Sequence, residues 1–330
     1  MRANLLPFLF SVVLRLSELG ACPTGILSAD SVVLVEPRAA EARPGESPRG
    51  YRISTQCTLV LIPVTVTDPF NHFITGLQRQ SFQLFEENEP QEILSFSGED
   101  APVSVGLVLD WSGSMKDKFA KSQQAVAAFL RLSNPRDEFL LMRFNDTANL
   151  AQTFTTDSRE IQNSLTSTQP SGSTALLDSL YRAIQLMKKA HNPRKALLLI
   201  SDGGDNHSRY SERDIKNLIR ESDVQVYAIG IYGSGAERLR LPELLRGPRL
   251  MRWVAKESGG RHYAVRDVNS LADVSAKIGL ELRNQYILGY SPREQHLDGR
   301  YRRVQVKVNP PSGWPPLRAS WRSGYYVPSN

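Results

Sequence analysis

Apolar and polar positions along the chain follow two different periods, and the change between them divides it. Thr58 to Thr67 (TLVLIPVTVT) are β-branched and partly alternating, and Asp68-Pro69 follows as a turn signal, so a strand is expected there. Phe82 to Phe85 and Ile93 to Phe96 flank Glu86-Glu87-Asn88-Glu89-Pro90, whose Asn and Pro favour turns, which predicts a hairpin pairing those two segments. From Val103 strands and helices alternate. Apolar runs predict strands at Val103 to Leu109, Glu138 to Phe144, Ala196 to Ile200 and Val224 to Ile231. Apolar residues at helical spacing predict helices at Lys116 to Leu132, Thr174 to Ala190, Glu212 to Glu221 and Leu271 to Leu282. After Gln285 the strand pattern returns at Tyr286 to Tyr290, Tyr301 to Val308 and Trp321 to Val327.

A strand and helix alternation of this kind calls for a parallel sheet covered by helices on both faces. The expected fold class is α/β: a doubly wound, mostly parallel, Rossmann-like sheet, inserted in or flanked by a small β-sandwich-like region. The strands before Val103 are too few to close a domain, so those after Gln285 are expected to complete them. The division that follows is 1–27 as an export or lipoprotein signal, 28–50 as a linker and 51–100 as an N-terminal β region. Residues 101–285 form the α/β domain, and 286–330 supply C-terminal strands that pack with the N-terminal β region.

Composition supports folding of most of the chain: 330 residues give room for about two domains, and 41 % hydrophobic with 22 % charged residues exclude global disorder. The net charge of +6 is unevenly placed. Glu237 to Asn330 holds 17 Lys and Arg against 8 Asp and Glu, so the first 236 residues are net acidic. The basic segments, with Arg238, Arg240, Arg246, Arg249 and Arg252 in one and Arg300, Arg302 and Arg303 in another, lack interleaved aromatics or a reader motif. That argues against nucleic acid as a partner and for solvated faces. Cys22 and Cys57 allow at most one disulfide. The start, MRANLLPFLFSVVLRLSELGAC, joins Arg2, an apolar run from Leu5 to Leu14 and the small residues Gly20 and Ala21, the layout of an export signal. Leu19-Gly20-Ala21-Cys22 also resembles the lipobox of bacterial lipoproteins, which makes Cys22 a candidate for lipidation and membrane attachment. The expected location is therefore exported: periplasmic, cell-envelope or secreted.

Candidate chemistry gathers at three segments. The strand from Val103 runs into Asp110-Trp111-Ser112-Gly113-Ser114, which places Asp110, Ser112 and Ser114 in a loop at a strand's carboxyl end, where doubly wound sheets bind ligands. Ser171-Gly172-Ser173-Thr174 leads into a helix, and Ala196 to Ile200 runs into Ser201-Asp202-Gly203-Gly204-Asp205. For the first segment alone, helix capping by Asp and Ser is an equally open reading. Taken together, Asp110, Ser112, Ser114, Thr174 and Asp202 are hard oxygen donors without sulfur or imidazole, a set suited to Mg2+, with Mn2+ or Ca2+ as alternatives. Asp205, three residues past Asp202, reads as a solvated loop acid, with support of the ligands from behind as the alternative. His191, His207 and His262 show no metal-ligand spacing, and no P-loop, GxSxG elbow or GxGxxG in its required context occurs. Asn206-His207-Ser208 fits a glycosylation sequon, but a glycan there would crowd the site, which favours a bacterial source.

These residues resemble the metal-ion-dependent adhesion site of von Willebrand factor type A domains. The family's aspartate-x-serine-x-serine is matched by Asp110, Ser112 and Ser114, its separate threonine by Thr174 and its separate aspartate by Asp202. The flanks, FQLFEENEPQ and the terminal Arg322-Ser323-Gly324-Tyr325-Tyr326 among them, resemble type A-related proteins of Acidobacteria. The resemblance implies a non-enzymatic module that holds Mg2+ and captures a Glu or Asp carboxylate of a partner protein. Trp111, Asn206 and His207, inside or just after the metal loops, are the candidates for the partner-binding rim, with ordinary core packing equally open for Trp111. Two other readings stay open: a Mg2+-dependent hydrolase or phosphotransferase, which Ser112 in place of a second carboxylate speaks against, and a structural envelope component with an unused metal site.

Overall fold

The computed structural model describes residues 30–33, 53–56, 59–98, 100–165, 169–232, 242–292 and 298–327. The signal segment 1–27 with Cys22, most of the expected linker, Cys57, Arg238 and Arg240 lie outside the described residues. The linker reading needs one correction. Within it β1 (Asp30–Val33) pairs antiparallel with β2 (Ile53–Gln56), a run of four residues too short to register as a period although Val32 and Val33 favour strand.

Before the α/β unit come β3 (Val60–Thr67), β4 (Phe82–Glu86), β5 (Glu89–Gln91) and β6 (Ser95–Ser97). The unit itself runs through β7 (Val103–Asp110), α1 (Phe119–Leu130), β8 (Glu138–Phe144), β9 (Ala148–Thr155), α2 (Ser158–Leu165) and α3 (Leu176–Met187). It continues with β10 (Arg194–Ser201), α4 (Glu212–Glu221), β11 (Val224–Ile231), α5 (Pro242–Glu257), β12 (His262–Val265) and α6 (Leu271–Arg283). After it come β13 (Tyr286–Tyr290), β14 (Tyr301–Val308), β15 (Arg318–Ser320) and β16 (Gly324–Tyr326).

The central sheet has the order β12-β11-β10-β7-β8-β9, parallel throughout except for β9, which runs antiparallel along β8. Side-chain alternation along β7 and β8 builds a core on each face. Val105, Leu107, Leu109, Phe139 and Leu141 pack with Val126 and Phe129 of α1 and Ile278 and Leu282 of α6. Val108, Leu140 and Met142 pack with Leu180 and Ile184 of α3, Ile219 of α4 and Val254 of α5. Four elements of this unit escaped the pattern reading: β9, α2, α5 and β12. β9 is an edge strand with one fully buried residue, so it has no apolar face to display. Inside α5, Gly247-Pro248 reads locally as a break, yet Leu250, Met251, Val254 and Ala255 are buried, and their packing holds the helix together.

Strands from both flanks make two four-stranded sheets, β15-β3-β13-β6 and β16-β14-β4-β5, around a third core. β6 and β13 are neighbours, so the α/β unit leaves and re-enters the β region at adjacent strands. The expected hairpin is corrected here. β4 turns back through Glu87 and Asn88, both at positive φ (48° and 72°), and pairs with β5. Pro90 sits in β5, a sheet edge where a missing N–H breaks no ladder, and Ser95–Ser97 joins the other sheet. Buried Glu86 accepts hydrogen bonds from Tyr290 Oη at 2.6 Å and Tyr325 Oη at 2.8 Å, tying β4 to two C-terminal strands. Gln285 joins the units: its Nε2 donates to Tyr227 Oη at 3.0 Å and Thr65 Oγ1 at 3.3 Å, and its Oε1 accepts from Arg194 at 2.9 Å. Among the described residues no helix is long and apolar enough to cross a membrane.

Candidate metal centre

Asp110 is the last residue of β7 and Asp202 follows the last residue of its parallel neighbour β10, so the central strands deliver both carboxylates to one edge. Backbone contacts then lace the three loops together. The Ser171 amide donates to the Trp111 carbonyl at 2.8 Å and the Gly113 amide to the Gly172 carbonyl at 3.0 Å. The Asn206 and His207 amides both donate to the Thr174 carbonyl, at 3.0 and 3.1 Å, while the Thr174 amide donates to Asn206 Oδ1 at 2.9 Å. Gly172, at φ +85°, lets the Ser171–Thr174 loop turn against the Asp146 carboxylate, whose Oδ1 accepts from the Ser173 amide at 2.8 Å.

All five expected donors meet in this cluster. Asp110 is 3 % exposed; its Oδ1 accepts from the Ser112 amide at 3.0 Å and its Oδ2 from Ser201 Oγ at 2.6 Å. Ser112 Oγ lies 3.1 Å from Ser114 Oγ, and Ser114 is the exposed member through which solvent reaches the group. Gly204 bridges the remaining two: a Cβ on it would stand 3.6 Å from Asp202 Oδ1 and 3.8 Å from Thr174 Oγ1. Burial, and after it the negative charge of Asp202, push the Asp110 carboxyl up to about 6. A cation placed between the carboxylates would relieve both effects. Asp110 accepts from Ser112 and Ser201, and its carboxylate oxygens keep lone pairs for a further interaction, so the donor set fits a small hard divalent ion. Among the described residues no group of three or more His, Cys, Asp or Glu is placed to hold a metal, which leaves this mixed hydroxyl and carboxylate set as the candidate.

Residues 105–204 match the von Willebrand factor type A domain family model. The chain contains a von Willebrand factor type A domain. The match ends at residue 204 and does not reach the flanking strands, whose likeness to proteins of Acidobacteria stays an expectation. No curated protein matches the chain. Among solved structures, BatB from Bacteroides thetaiotaomicron is similar at 19 % identity over 55 % of this chain and 98 % of that one, with a TM-score of 0.43. A von Willebrand factor type A protein from Catenulispora acidiphila is similar at 12 % identity over 76 % of this chain and 74 % of that one, with a TM-score of 0.47. Proximal thread matrix protein 1 of the mussel byssus, solved with a zinc-occupied MIDAS motif, is similar at 16 % identity over 61 % of this chain and 50 % of that one, with a TM-score of 0.49.

The rim of the type A domain differs from expectation. Trp111 is 5 % exposed and packs edge-on against Phe119 with centroids 4.6 Å apart, so it is core and not rim. The reason is strand parity: Trp111 extends the series Val105, Leu107, Leu109 into the same core. Asn206 and His207 are exposed beside the site, as expected of a rim, but their amides and the Asn206 side chain also clamp Thr174. Asp205 is no free surface acid: it is half-buried, which raises its carboxyl, and its Oδ1 accepts from the Leu176 amide at 3.0 Å and Ser208 Oγ at 2.6 Å. It thereby satisfies the amino end of α3 directly after Thr174.

Two further side chains went unnoticed in the sequence. Ser201, just before Asp202, orients Asp110, and a hydroxyl ending an apolar strand beside that aspartate was a legible signal. Lys118 Nζ lies 3.1 Å from Asp202 Oδ2 and neutralises one of the two carboxylates. Its place four residues after Ser114 carries no such signal, because Asp202 lies 84 residues further on.

Proposed function

We propose that the chain is a metal-dependent interaction module rather than an enzyme. Type A domains are generally interaction modules, which is the starting point. The observation that carries the reading is the convergence of Asp110, Ser112, Ser114, Thr174 and Asp202 from three loops, with Asp110 desolvated and facing a second carboxylate. Three of these ligands are neutral hydroxyls and only two carboxylates oppose the double charge, so a bound Mg2+ stays electrophilic where coordination is incomplete and takes an anionic ligand in its open position. A Glu or Asp of a partner protein supplies it. Against hydrolysis or phosphotransfer, the acids next to the cluster already serve as anchors for backbone amides. Asp205 is engaged by the Leu176 amide and Ser208, and Asp146 Oδ1 by the Ser173 amide.

The partner surface extends to a cleft of about 630 Å3 lined by Asp146, Asp178, Tyr181, Arg209 and Tyr210. It shares Asp146 with the Ser173 loop, and its Tyr181 and Tyr210 rings stack at 3.9 Å, the aromatic and Arg composition that anchors protein interfaces. On this reading the module acts outside the cytoplasm, exported through segment 1–27, with Cys22 as a lipid attachment point. Calorimetric titration with Mg2+, Mn2+ and Ca2+ tests it, beside Asp110→Asn shown by circular dichroism to be folded. Saturable binding in the parent and none in the variant is the expected result, followed by magnesium-dependent capture of a Glu-bearing peptide. A folded parent that takes up no divalent ion would overturn the reading.

A further inference from the structure

The basic excess of the C-terminal third does not spread evenly over solvated faces. Part of it converges on a cleft of about 820 Å3 between the α/β unit and the β region. Arg252 and Lys256 enter from α5, Arg261 from just before β12, Lys277 from α6 and Arg303 from β14, so five cations arrive from four elements. Among the described residues no Asp or Glu lines the cleft. Arg261 lies 3.0 Å from the fully buried Glu281 and is compensated, whereas Arg252, Lys256, Lys277 and Arg303 form no ion pair among the described residues.

That arrangement opposes folding. Arg252 and Lys256 stand four apart on one helix, where like charges repel, and the cations of the other elements add to the same field. The cleft wall registers it: burial, and after it the charge of Arg252, push His262 down to about 4. An anion seated in the cleft removes the repulsion. A phosphate group suits cations that come from separate directions, because its oxygens point tetrahedrally, while a carboxylate offers two oxygens in one plane to one fork. Trp321 gives the cleft a rigid side, its indole N–H donating to the Val304 carbonyl at 2.9 Å.

We propose that this cleft is a second binding site, independent of the metal centre, for a ligand carrying several phosphate groups. The volume exceeds what a single phosphate fills and lies in the range of small-molecule sites, about 300–1,000 Å3. The same chemistry is available from a soluble polyphosphorylated molecule or from lipid headgroups, and the concave shape favours the soluble one.

The test is calorimetric titration of the full chain with inorganic tripolyphosphate in buffer stripped of divalent ions, at an ionic strength of about 0.1 M. One saturable site is expected. Arg252→Gln with Lys256→Gln should weaken it at least about tenfold, and Arg303→Gln, from the other side of the cleft, about threefold. Lys188→Gln with Lys189→Gln, exposed at the end of α3, makes the same change in net charge elsewhere and should leave binding within a factor of about two. Circular dichroism confirms that each variant is folded, and the Arg303 variant decides if the double one is not. Absence of saturation, or equal loss in the Lys188 and Lys189 control, overturns the proposal. So does sedimentation with phosphatidylglycerol vesicles in a protein that ignores tripolyphosphate, since a flat anionic surface would then be the ligand.

Discussion

The metal centre and the basic cleft handle uncompensated charge in opposite ways. At the metal centre two carboxylates are brought together by backbone ladders and hydroxyls within one edge of a parallel sheet, and Asp110 is almost fully buried. In the cleft the cations are long side chains from separate parts of the fold, exposed at Arg252, Lys256 and Arg303 and half-buried at Arg261 and Lys277, with neutral walls between them. The first geometry is rigid and small and selects by coordination. The second is open and adaptable and selects by how many phosphate charges a ligand spreads among separate cations. What links them is α5, which lays Gly247 against the Asp202 loop and presents Arg252 and Lys256 to the cleft further along.

Changes at each region should separate the two. The largest effect is expected from Asp202→Asn, which removes half the formal negative charge of the metal centre: Mg2+ affinity should fall about 100-fold or more by calorimetry, with tripolyphosphate binding unchanged. Retention of metal affinity within a factor of about ten would remove Asp202 from the ligand set. Gly247→Ala attacks the link. A Cβ there would lie 1.6 Å from the Gly203 carbonyl oxygen, so helix and loop must separate. Urea denaturation should show a loss of about 2 kcal/mol, the range of overpacked cores, and both Mg2+ and tripolyphosphate binding should weaken. Unchanged binding at both sites would show that α5 does not couple them.

Lys118→Met sharpens the contrast at the metal centre alone. The ammonium, 3.1 Å from Asp202 and about a quarter exposed, competes with a divalent ion for that carboxylate. Removing a partly solvated pair of this kind should raise Mg2+ affinity about fivefold, the equivalent of about 1 kcal/mol. A fall would mean that Lys118 holds Asp202 in place instead.

The smallest effect concerns the cleft. Because folded His262 is held near 4, against 6.5 for a free imidazole, the unfolded chain takes up that proton first. The His262 contribution to stability is present above pH 6.5 and is lost as pH falls from there toward 4. Arg252, Lys256 and Arg261 line the same wall, and Tyr232 Oη stands 2.9 Å from His262 Nε2. His262→Gln should therefore flatten the acid limb of thermal stability between those values, and saturating tripolyphosphate, whose negative charge favours protonated His262 in the folded state, should flatten the parent's limb as well. A limb that keeps its slope in the variant assigns it to other groups.

The legibility of the two regions in the sequence differs for the same reason. Asp110, Ser112, Ser114, Thr174 and Asp202 stand out because strand ends and helix starts fix where a loop residue projects, and the strands that carry them are long apolar runs. Trp111 stayed open between rim and core in the sequence because it lies between two loop ligands, and strand parity decided for the core. The Glu86 to Pro90 segment gave the turn but not its partner, since the choice between β5 and β6 depended on which C-terminal strand, β13 or β14, lay alongside.

By itself the chain determined its periods, hence the α/β unit between two sets of strands, and it determined the oxygen-rich loops. Tertiary structure alone decided that Lys118 meets Asp202, that Gly247 in α5 rests on Gly203, and that cations from α5, the residue before β12, α6 and β14 share one cleft. Local sequence sets backbone direction over a few residues. Meetings between residues tens to more than a hundred positions apart are set by how packed cores orient whole elements, and charge has no period from which they could be read.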